Sequence, residues 1–363
     1  MAALQRLKHH DVDALLAWYE KNQRDFPWRK NPEPYWVWLA EIMSQQTVMA
    51  ALLPYFYRFI EKFPTVKNLA LAHEDEVLKA WTGLGYYSRA RNVHKAAKTI
   101  HAAKGFPKTL GGWLELPGVG PYTAAAVVSQ CFNVEEPVWD GNVTRVTSRL
   151  DARLDIWSTA YRAEMLDSLR EKMVGHNPSY FNQSLMELGA TVCTPKSPSC
   201  TRCPIQRACT AFKKNAVGEY PPPKPRKKNI ELRCRVVVPL RERGQSFEVW
   251  LTRRPEPFWF AGMWDFPSEL GGVASSVIPL KILATKSATE FGVVRHQITH
   301  HKITLVGIVD QAACVVGDGR WLSIDELLSD QSTVPLSTTA RKVLKLLMAK
   351  SHVSLPTLCL NTN

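Results

Sequence analysis

Two acidic residues, one glycine-bearing turn and four clustered thiols are the parts of this chain whose types and spacing could do chemistry. Glu41 lies in Tyr35-Trp36-Val37-Trp38-Leu39-Ala40-Glu41-Ile42-Met43-Ser44-Gln45-Gln46-Thr47, an apolar stretch opened by Pro34 that reads as a helix. Leu39, Ile42 and Met43 fit a core stripe, and Glu41 shares the other side with Trp38, Ser44 and Gln45. A carboxyl beside an indole, with few charges near, stays protonated to a higher pH and can serve as an acid. The same Glu on an exposed helix face has no such role. Asp140 stands before a glycine in Val138-Trp139-Asp140-Gly141-Asn142-Val143. Upstream, Leu116-Pro117-Gly118-Val119-Gly120-Pro121-Tyr122-Thr123-Ala124 opens onto a helix. Gly118 and Gly120 permit unusual backbone angles, and Pro121 suits a first helical turn. Free amides before such a helix bind phosphate; the alternative is an ordinary helix–helix turn.

Cys193, Cys200, Cys203 and Cys209 are separated by six, two and five residues in a Pro-rich loop. Half of the eight cysteines thus fall within seventeen residues, which points to a metal centre and not to disulfides. An all-cysteine set suits zinc or an iron–sulfur cluster, and ligand softness alone leaves both open. Four protein ligands leave no position for catalysis. Lys196, Arg202, Arg207, Lys213 and Lys214 surround the loop, either as phosphate contacts or as a solvated rim.

The elements that must position these groups divide by composition. The chain has 363 residues, enough for two or three domains, a net charge of +13 and a pI of about 9.4. The charge favours a polyanionic partner, nucleic acid before anionic membrane. No apolar run approaches the roughly 20 residues of a membrane span, and the N-terminus lacks an apolar signal core. An intracellular protein is expected, in the cytoplasm and nucleoid if bacterial. Residues 1–215 read as nearly all helix, with segments at 11–22, 34–47, 54–60, 74–81, 92–103, 123–130, 159–174 and 180–191. Arg24-Asp25-Phe26-Pro27-Trp28-Arg29-Lys30 is a basic–aromatic loop. Gly83-Leu84-Gly85-Tyr86-Tyr87 and the arginines after it form either a wedge-and-clamp loop or a glycine cap with packed tyrosines. Residues 216–232 are a basic Pro-rich linker. Residues 233–350 shift to strand-like runs at 233–240, 247–254 and 302–310 with two late helices, an α+β domain, and 351–363 form a tail.

Taken together, these stretches resemble a known family. The LPGVGPYTA turn with PVWDGNV downstream is similar to the helix-hairpin-helix and acidic residue of the DNA glycosylase superfamily, and the thiol spacing resembles its [4Fe–4S] loop. The motif around Glu41, the Gly83–Tyr87 loop and the linked C-terminal domain resemble the MutY-type adenine DNA glycosylases. The resemblance covers about residues 12–350, with its motifs in the right order. It implies an all-α helix-hairpin-helix glycosylase core with an iron–sulfur loop, joined to a NUDIX-like α+β domain. It further implies excision of adenine mispaired with 8-oxoguanine or guanine in double-stranded DNA, by a monomer carrying a [4Fe–4S] cluster and an alkali cation at the hairpin.

The resemblance also implies residue roles. Glu41 would protonate adenine N7 and later help the attacking water; Asp140 would stabilise the sugar cation, oriented by Asn142. Tyr122 stands where lyase members carry Lys, so base removal without strand cutting is expected. Trp28, Arg29, Gln183 and Met186 would meet the flipped base. Gln46 and Tyr86 would fill or wedge the duplex, and the amides from Gly118 to Gly120 would hold a phosphate. The C-terminal domain lacks a Glu-rich REuxEE run between Gly262 and Gly292. It would therefore read 8-oxoguanine without hydrolysing nucleotides, through a His296–His300 loop in which Thr299 and His300 are the best contacts; the alternative for this stretch is a β-hairpin with core His. Ser44, Trp139, Gln183 and Ile298 depart from the family pattern. Competing readings are an endonuclease III-like lyase, a mismatch thymine glycosylase and a non-enzymatic iron–sulfur DNA-binding protein. The first needs Lys at position 122, neither glycosylase needs residues 233–350, and the last leaves both acids without a purpose.

Overall fold

The computed structural model describes residues 7–45, 49–224, 228–244, 246–256, 258–271, 288–311, 313, 315, 318–329, 332 and 334–358. Gln46 lies outside the described residues. In chain order the helices are α1 (His9–Asn22), α2 (Pro27–Lys30), α3 (Pro34–Ser44), α4 (Met49–Lys62), α5 (Val66–Leu71), α6 (Glu74–Ala80), α7 (Ser88–Ala102), α8 (Leu110–Leu114), α9 (Pro121–Phe132), α10 (Gly141–Asp151), α11 (Thr159–Met173), α12 (Pro178–Thr191) and α13 (Thr210–Lys213). The strands follow: β1 (Ile230–Arg243), β2 (Ser246–Arg253), β3 (Trp264–Asp265), β4 (Ser268–Gly271), β5 (Thr289–Ile298), β6 (His301–Asp310) and β7 (Gly319–Ser323). Two helices close the chain, α14 (Ile324–Leu328) and α15 (Thr338–Leu358). Among the described residues, no helix is long and apolar enough to cross a membrane.

Contacts divide the chain into two units. One comprises Met1–Leu71 with Asn92–Pro225; the other comprises Ala72–Arg91 with Arg226–Asn363. The first unit is helical. Val12 and Leu15 of α1, Val143, Val146 and Leu150 of α10, Tyr161 and Leu169 of α11, and Phe181, Leu185 and Leu188 of α12 share one core. Their spacing of three, four, seven or eight residues puts them on single helix faces. Helix α3 differs, because Tyr35 and Val37 to Met43 are all buried; Pro34 starts it where no amide partner is needed.

The α8–α9 hairpin turns at Leu116–Gly120. The Val119 amide donates to the Leu116 carbonyl at 3.1 Å, and Gly118 sits at φ +76°. A Cβ there would lie 2.6 Å from the Asn92 Cβ, so only glycine fits. Gly120 has an ordinary φ of −97° and open space around a Cβ, so its lack of a side chain is not demanded by the turn itself.

Helix boundaries depart from the sequence expectation in several places, and short helices at Val66–Leu71 and Leu110–Leu114 are added. The helix expected over 34–47 ends at Ser44. Ser88–Arg91, expected as loop, begins α7, and α15 runs to Leu358 through the expected tail. Helix α10 was not anticipated, because Val143, Thr144, Val146 and Thr147 have poor intrinsic helix propensity. The Asp140 side chain caps it by accepting from the Val143 amide at 2.7 Å, and its buried face supplies the rest.

The second unit is built on a seven-stranded mixed sheet whose main path is β3-β2-β1-β6-β5, with β4 on β1 and β7 on β2. Strand β1 is shared along its length: residues 230–239 run parallel to β6, and residues 240–243 pair antiparallel with β2. Of the two readings of His296–His300, the β-hairpin describes the backbone, and the stretch is mostly strand. His296 to Ile298 continue β5, Ile298 pairs with His301, and only Thr299 and His300 form the turn. Polar residues alternating along one half-exposed strand hid its period. Gly307 of β6 faces the Phe291 ring, and a Cβ at Gly307 would lie 2.4 Å from it. Gly307→Ala is therefore expected to destabilise this unit by about 1–3 kcal/mol, read by urea unfolding. A change within a few tenths of a kcal/mol would contradict that packing.

Candidate active site

A cavity of about 440 Å³ in the helical unit is lined from six places in the chain: the Arg24–Arg29 segment, α3, Met49 at the start of α4, α9, the start of α10, and α12. It brings together Trp28, Arg29, Glu41, Tyr122, Asp140, Asn142, Gln183 and Met186, all expected from sequence.

Glu41 is only 8% exposed. The Tyr122 hydroxyl donates to its Oε2 at 2.7 Å and the Gln130 amide to its Oε1 at 3.3 Å. Both donors come from α9. Burial pushes the Glu41 carboxyl above the usual carboxylate range; the two donors oppose this, and the Asp140 charge adds to it. The expected indole partner is elsewhere: Trp38 is fully buried against Tyr35 and Trp113. Burial also holds the Tyr122 phenol well above its ordinary range, so it is a neutral donor, and no amine stands at this position.

Asp140 sits where the N-terminus of α10 meets the cavity. Its Oδ1 accepts from the Val143 amide at 2.7 Å and its Oδ2 from the Asn142 amide at 2.8 Å. Burial raises its pKa, and those donors pull it back. Asn142 is itself held, because Arg145 Nη2 donates to its Oδ1 at 2.8 Å. The same guanidinium donates to the carbonyls of Gly189 and Cys193, both at 2.7 Å. A Cβ at Gly189 would lie 2.6 Å from that of Asn142, so α12 approaches α10 through a glycine. A chain of hydrogen bonds thus runs from the thiol-bearing loop to Asp140.

The far wall is a charge network. Glu187 is fully buried and accepts from Arg24 Nε at 2.7 Å and Nη2 at 3.0 Å, and from Arg29 Nη2 at 2.7 Å. Burial opposes its ionisation, but the two guanidiniums prevail and hold its pKa below the ordinary value. Gln183 accepts from the Tyr19 hydroxyl at 2.9 Å and donates to Ser179 at 2.9 Å. Trp28 stacks on Phe26 with centroids 5.1 Å apart, and Met186 Sδ lies 3.5 Å from the Tyr122 oxygen. Arg24, Gln130, Arg145 and Glu187 were not anticipated. Arg24 was visible in the basic–aromatic loop, and Glu187 follows Gln183 by one helical turn; Gln130 and Arg145 carried no sequence signal.

The four loop thiols do not line the cavity. Cys193, Cys200, Cys203 and Cys209 are half-buried and form no disulfide. Burial pushes the Cys203 thiol up to about 12, and the other three thiols add to it. The buried Arg149 donates to Cys193 Sγ at 3.3 Å and to the carbonyls of Thr194, Pro195 and Tyr220. No three of these sulfurs lie within 4.8 Å of one another. A single tetrahedral zinc, at about 2.3 Å per sulfur, would require separations of about 3.8 Å.

Tyr86, Thr299 and His300 belong to the second unit. Tyr86 is 43% exposed at φ +48°, between Gly85 at φ +69° and the Arg89 guanidinium over its ring. Thr299, at φ +52°, leads the β5–β6 turn, where its hydroxyl lies 3.3 Å from His300 Nδ1. Positive φ is rare for a β-branched or bulky residue, and it concentrates where backbone strain is used. Trp139, bulkier than expected, packs edge-on against Tyr161 in the core.

This geometry has relatives. Residues 39–170 match the HhH-GPD superfamily of base excision DNA repair proteins, and residues 236–346 match the NUDIX domain. An adenine DNA glycosylase of Rattus norvegicus is 31% identical over 399 residues, covering 91% of this chain and 76% of the relative. One of Buchnera aphidicola (from Schizaphis graminum) is 34% identical, covering 70% of this chain and 73% of its own. One of Arabidopsis thaliana is 38% identical over 70% of this chain, which spans 46% of that relative's length. Among solved structures, a thermostable thymine-DNA glycosylase superposes with a TM-score of 0.52 at 25% identity, over 56% of this chain and 95% of its own. Endonuclease III in a non-covalent DNA complex superposes with a TM-score of 0.50 at 24% identity, over 58% and 97%. The helical fold is shared across these enzymes; the long sequence matches narrow it, and the chain belongs to the adenine DNA glycosylase family.

Proposed function

We infer that this chain is a monofunctional DNA glycosylase that hydrolyses the N-glycosidic bond of adenine mispaired with 8-oxoguanine or guanine. The observation that supports this most is the buried Glu41 carboxyl, held by Tyr122 and Gln130 and sharing its cavity with Asp140. Adenine leaves poorly unless protonated, and the sugar it leaves acquires positive charge. An acid near the base and an anion near the sugar answer both needs, by the two-carboxylate logic of glycosidases.

The adenine must leave the stack to reach these groups. Trp28, Arg29, Gln183 and Met186 form its pocket. Protonated Glu41 donates to N7, the C–N bond breaks with its electron pair going to the base, and the Asp140 carboxylate stabilises the sugar cation. Water then adds to the sugar, and the Glu41 carboxylate takes the proton released. Asn142 keeps Asp140 oriented. Without an amine at position 122 no Schiff base forms by the lyase route, so strand cleavage is not expected. The Gly118 and Gly120 amides would hold a DNA phosphate, the Val119 amide being taken by the Leu116 carbonyl, and the remaining carbonyls of the turn would hold an alkali cation.

Cys193, Cys200, Cys203 and Cys209 fit a [4Fe–4S] cluster: four soft donors, spaced too widely for one ion, beside two cationic side chains. Bound there, the cluster supplies a fully ligated, redox-capable anchor for the loop. Thr299 and His300 read the opposing 8-oxoguanine, and Tyr86 wedges the duplex. The NUDIX domain serves recognition and not hydrolysis. The enzyme acts as a monomer inside the cell.

Three outcomes test this reading. Duplexes carrying A opposite 8-oxoguanine, A opposite C, or thymine glycol are incubated with protein and treated with alkali. Adenine release from the first is expected, and its absence sinks the reading. Asp140→Asn is expected to lose turnover by at least about a thousandfold, the scale for a charge-stabilising group, while still binding that duplex. Substantial turnover in Asp140→Asn would contradict the assigned chemistry.

The pH profile follows from the raised carboxyl. Burial keeps Glu41 protonated to higher pH than usual, so activity persists below its folded pKa and falls as pH rises through it. The Tyr122 bond lowers that pKa. Tyr122→Phe removes the bond, so the alkaline limb is expected to move to higher pH; an unmoved limb argues against Glu41 as the acid. The pair Thr299→Ala and His300→Ala should reduce the preference for A opposite 8-oxoguanine over A opposite G by about tenfold, as for one or two lost hydrogen bonds. An unchanged preference, measured by single-turnover rates, removes the turn from lesion reading.

A further inference from the structure

We propose that His9, Asp13 and His176 form a binding site for a divalent transition ion, of the Zn²⁺ or Ni²⁺ class, on the surface of the helical unit. One ligand atom from each of the three lies within 4.8 Å of the other two, and no ion is bound. His9 and Asp13 are one turn apart on α1, so they share a face. His9 Nδ1 is 3.2 Å from Asp13 Oδ2, and His176 Nδ1 is 3.9 Å from Asp13 Oδ1. The two imidazole rings lie 4.5 Å apart. Ligands around a tetrahedral zinc, at about 2.0–2.1 Å each, are separated by about 3.3 Å. The observed spacings bracket that value, and small side-chain rotations close the set.

Exposure is distributed as a metal site needs. The His176 side chain is only 7% exposed, and its backbone amide donates to the Met173 carbonyl at 3.0 Å. It is thus a ligand fixed in place between α11 and α12. His9 and Asp13 are 73% and 58% exposed and can swing in from solvent. Neighbouring groups do not compete. His10 pairs with Asp11, and Asp11 is committed to the α1 cap, where it accepts from the Lys8 amide at 2.9 Å. Two imidazoles and one carboxylate suit borderline ions over Ca²⁺ or Mg²⁺, and three protein ligands leave a position for water.

The site would tie α1 to the residue pair that starts α12, since Asn177, next to His176, is the cap of that helix. The two helices already meet where the Tyr19 hydroxyl donates to Gln183. A metal at His9–Asp13–His176 adds a second tie between α1 and α12, and α12 is one wall of the cavity.

The test uses the full chain with its thiol centre loaded, the iron and sulfide content being checked before and after so that free thiols do not take up the probe. Zn²⁺ is titrated by calorimetry and Ni²⁺ by absorption. One saturable equivalent is expected, with a rise in melting temperature. His9→Gln and Asp13→Asn, both on the surface and safe for folding, should each weaken binding by at least tenfold and cancel the rise. His176→Gln should do the same, and His10→Gln should leave binding unchanged. Absence of saturable binding overturns the proposal. So does binding that survives undiminished in both His9→Gln and Asp13→Asn, or that is lost equally in His10→Gln.

Discussion

Burying the Glu41 carboxyl is the constraint on which the catalytic unit depends. A carboxyl withdrawn from water costs several kcal/mol unless its oxygens find donors. Both donors, Tyr122 and Gln130, come from α9, so that helix must lie beside α3 with little tolerance. The direction of α9 is set in turn by the hairpin, where Gly118 passes Asn92 without room for a Cβ. The turn read from sequence as a phosphate grip has a structural duty in any case: it places the phenol that holds the proposed acid. Helix α3 answers the same constraint by being almost wholly apolar around Glu41; its one nearby hydroxyl, Ser44, is turned to the Glu41 backbone carbonyl at 3.0 Å.

Asp140 meets the same desolvation with a different solution. It caps α10, so its charge faces the positive end of a helix and two amide donors. Glu41 has a phenol and one primary amide. Two buried carboxyls a short way apart would otherwise resist ionising together, and environments this unlike push their roles apart. The bracing of Asp140 extends outward through Asn142 and Arg145 to the Cys193 carbonyl. Folding of the thiol loop and orientation of the proposed sugar-stabilising anion are thereby one problem, and Gly189 keeps α12 close enough for Arg145 to reach both.

Legibility in the sequence followed how local each signal was. The hairpin, Asp140 before its glycine, and the thiol spacing each fit within a few residues, and each was readable. Helix α10 was not, because its β-branched residues argue against helix and only burial against α12 and the Asp140 cap decides the matter. Strand β5 was missed because its polar residues alternate with half-buried ones and its pairing partner, β6, carries the hydrophobic signal. The burial of Glu41 was undecidable from α3 alone: its two partners are 81 and 89 residues away in sequence. Arg145 and Glu187 act through contacts of comparable range, and no local pattern marks them.

Glu187 shows why the unread residues matter to the chemistry. The cavity wall holds three acids, Glu41, Asp140 and Glu187, yet only two have raised pKa values. Glu187 is neutralised on the spot by Arg24 and Arg29, so the wall carries its charges as a closed network and not as a free anion. Arg29 is the hinge of this arrangement. It lowers the pKa of Glu41 by its own charge, but its guanidinium is spent largely on Glu187 and on the Arg24 carbonyl. Were Glu187 absent, Arg29 would be free to draw on Glu41 and favour its ionised form, which is the wrong state for an acid. Were Arg24 absent, Arg29 alone would have to neutralise Glu187. The pairing of one acid with two arginines thus keeps Glu187 from adding a free charge beside Glu41, whose carboxyl is held above the usual range by burial and the Asp140 charge against the opposing pull of Tyr122, Gln130 and Arg29.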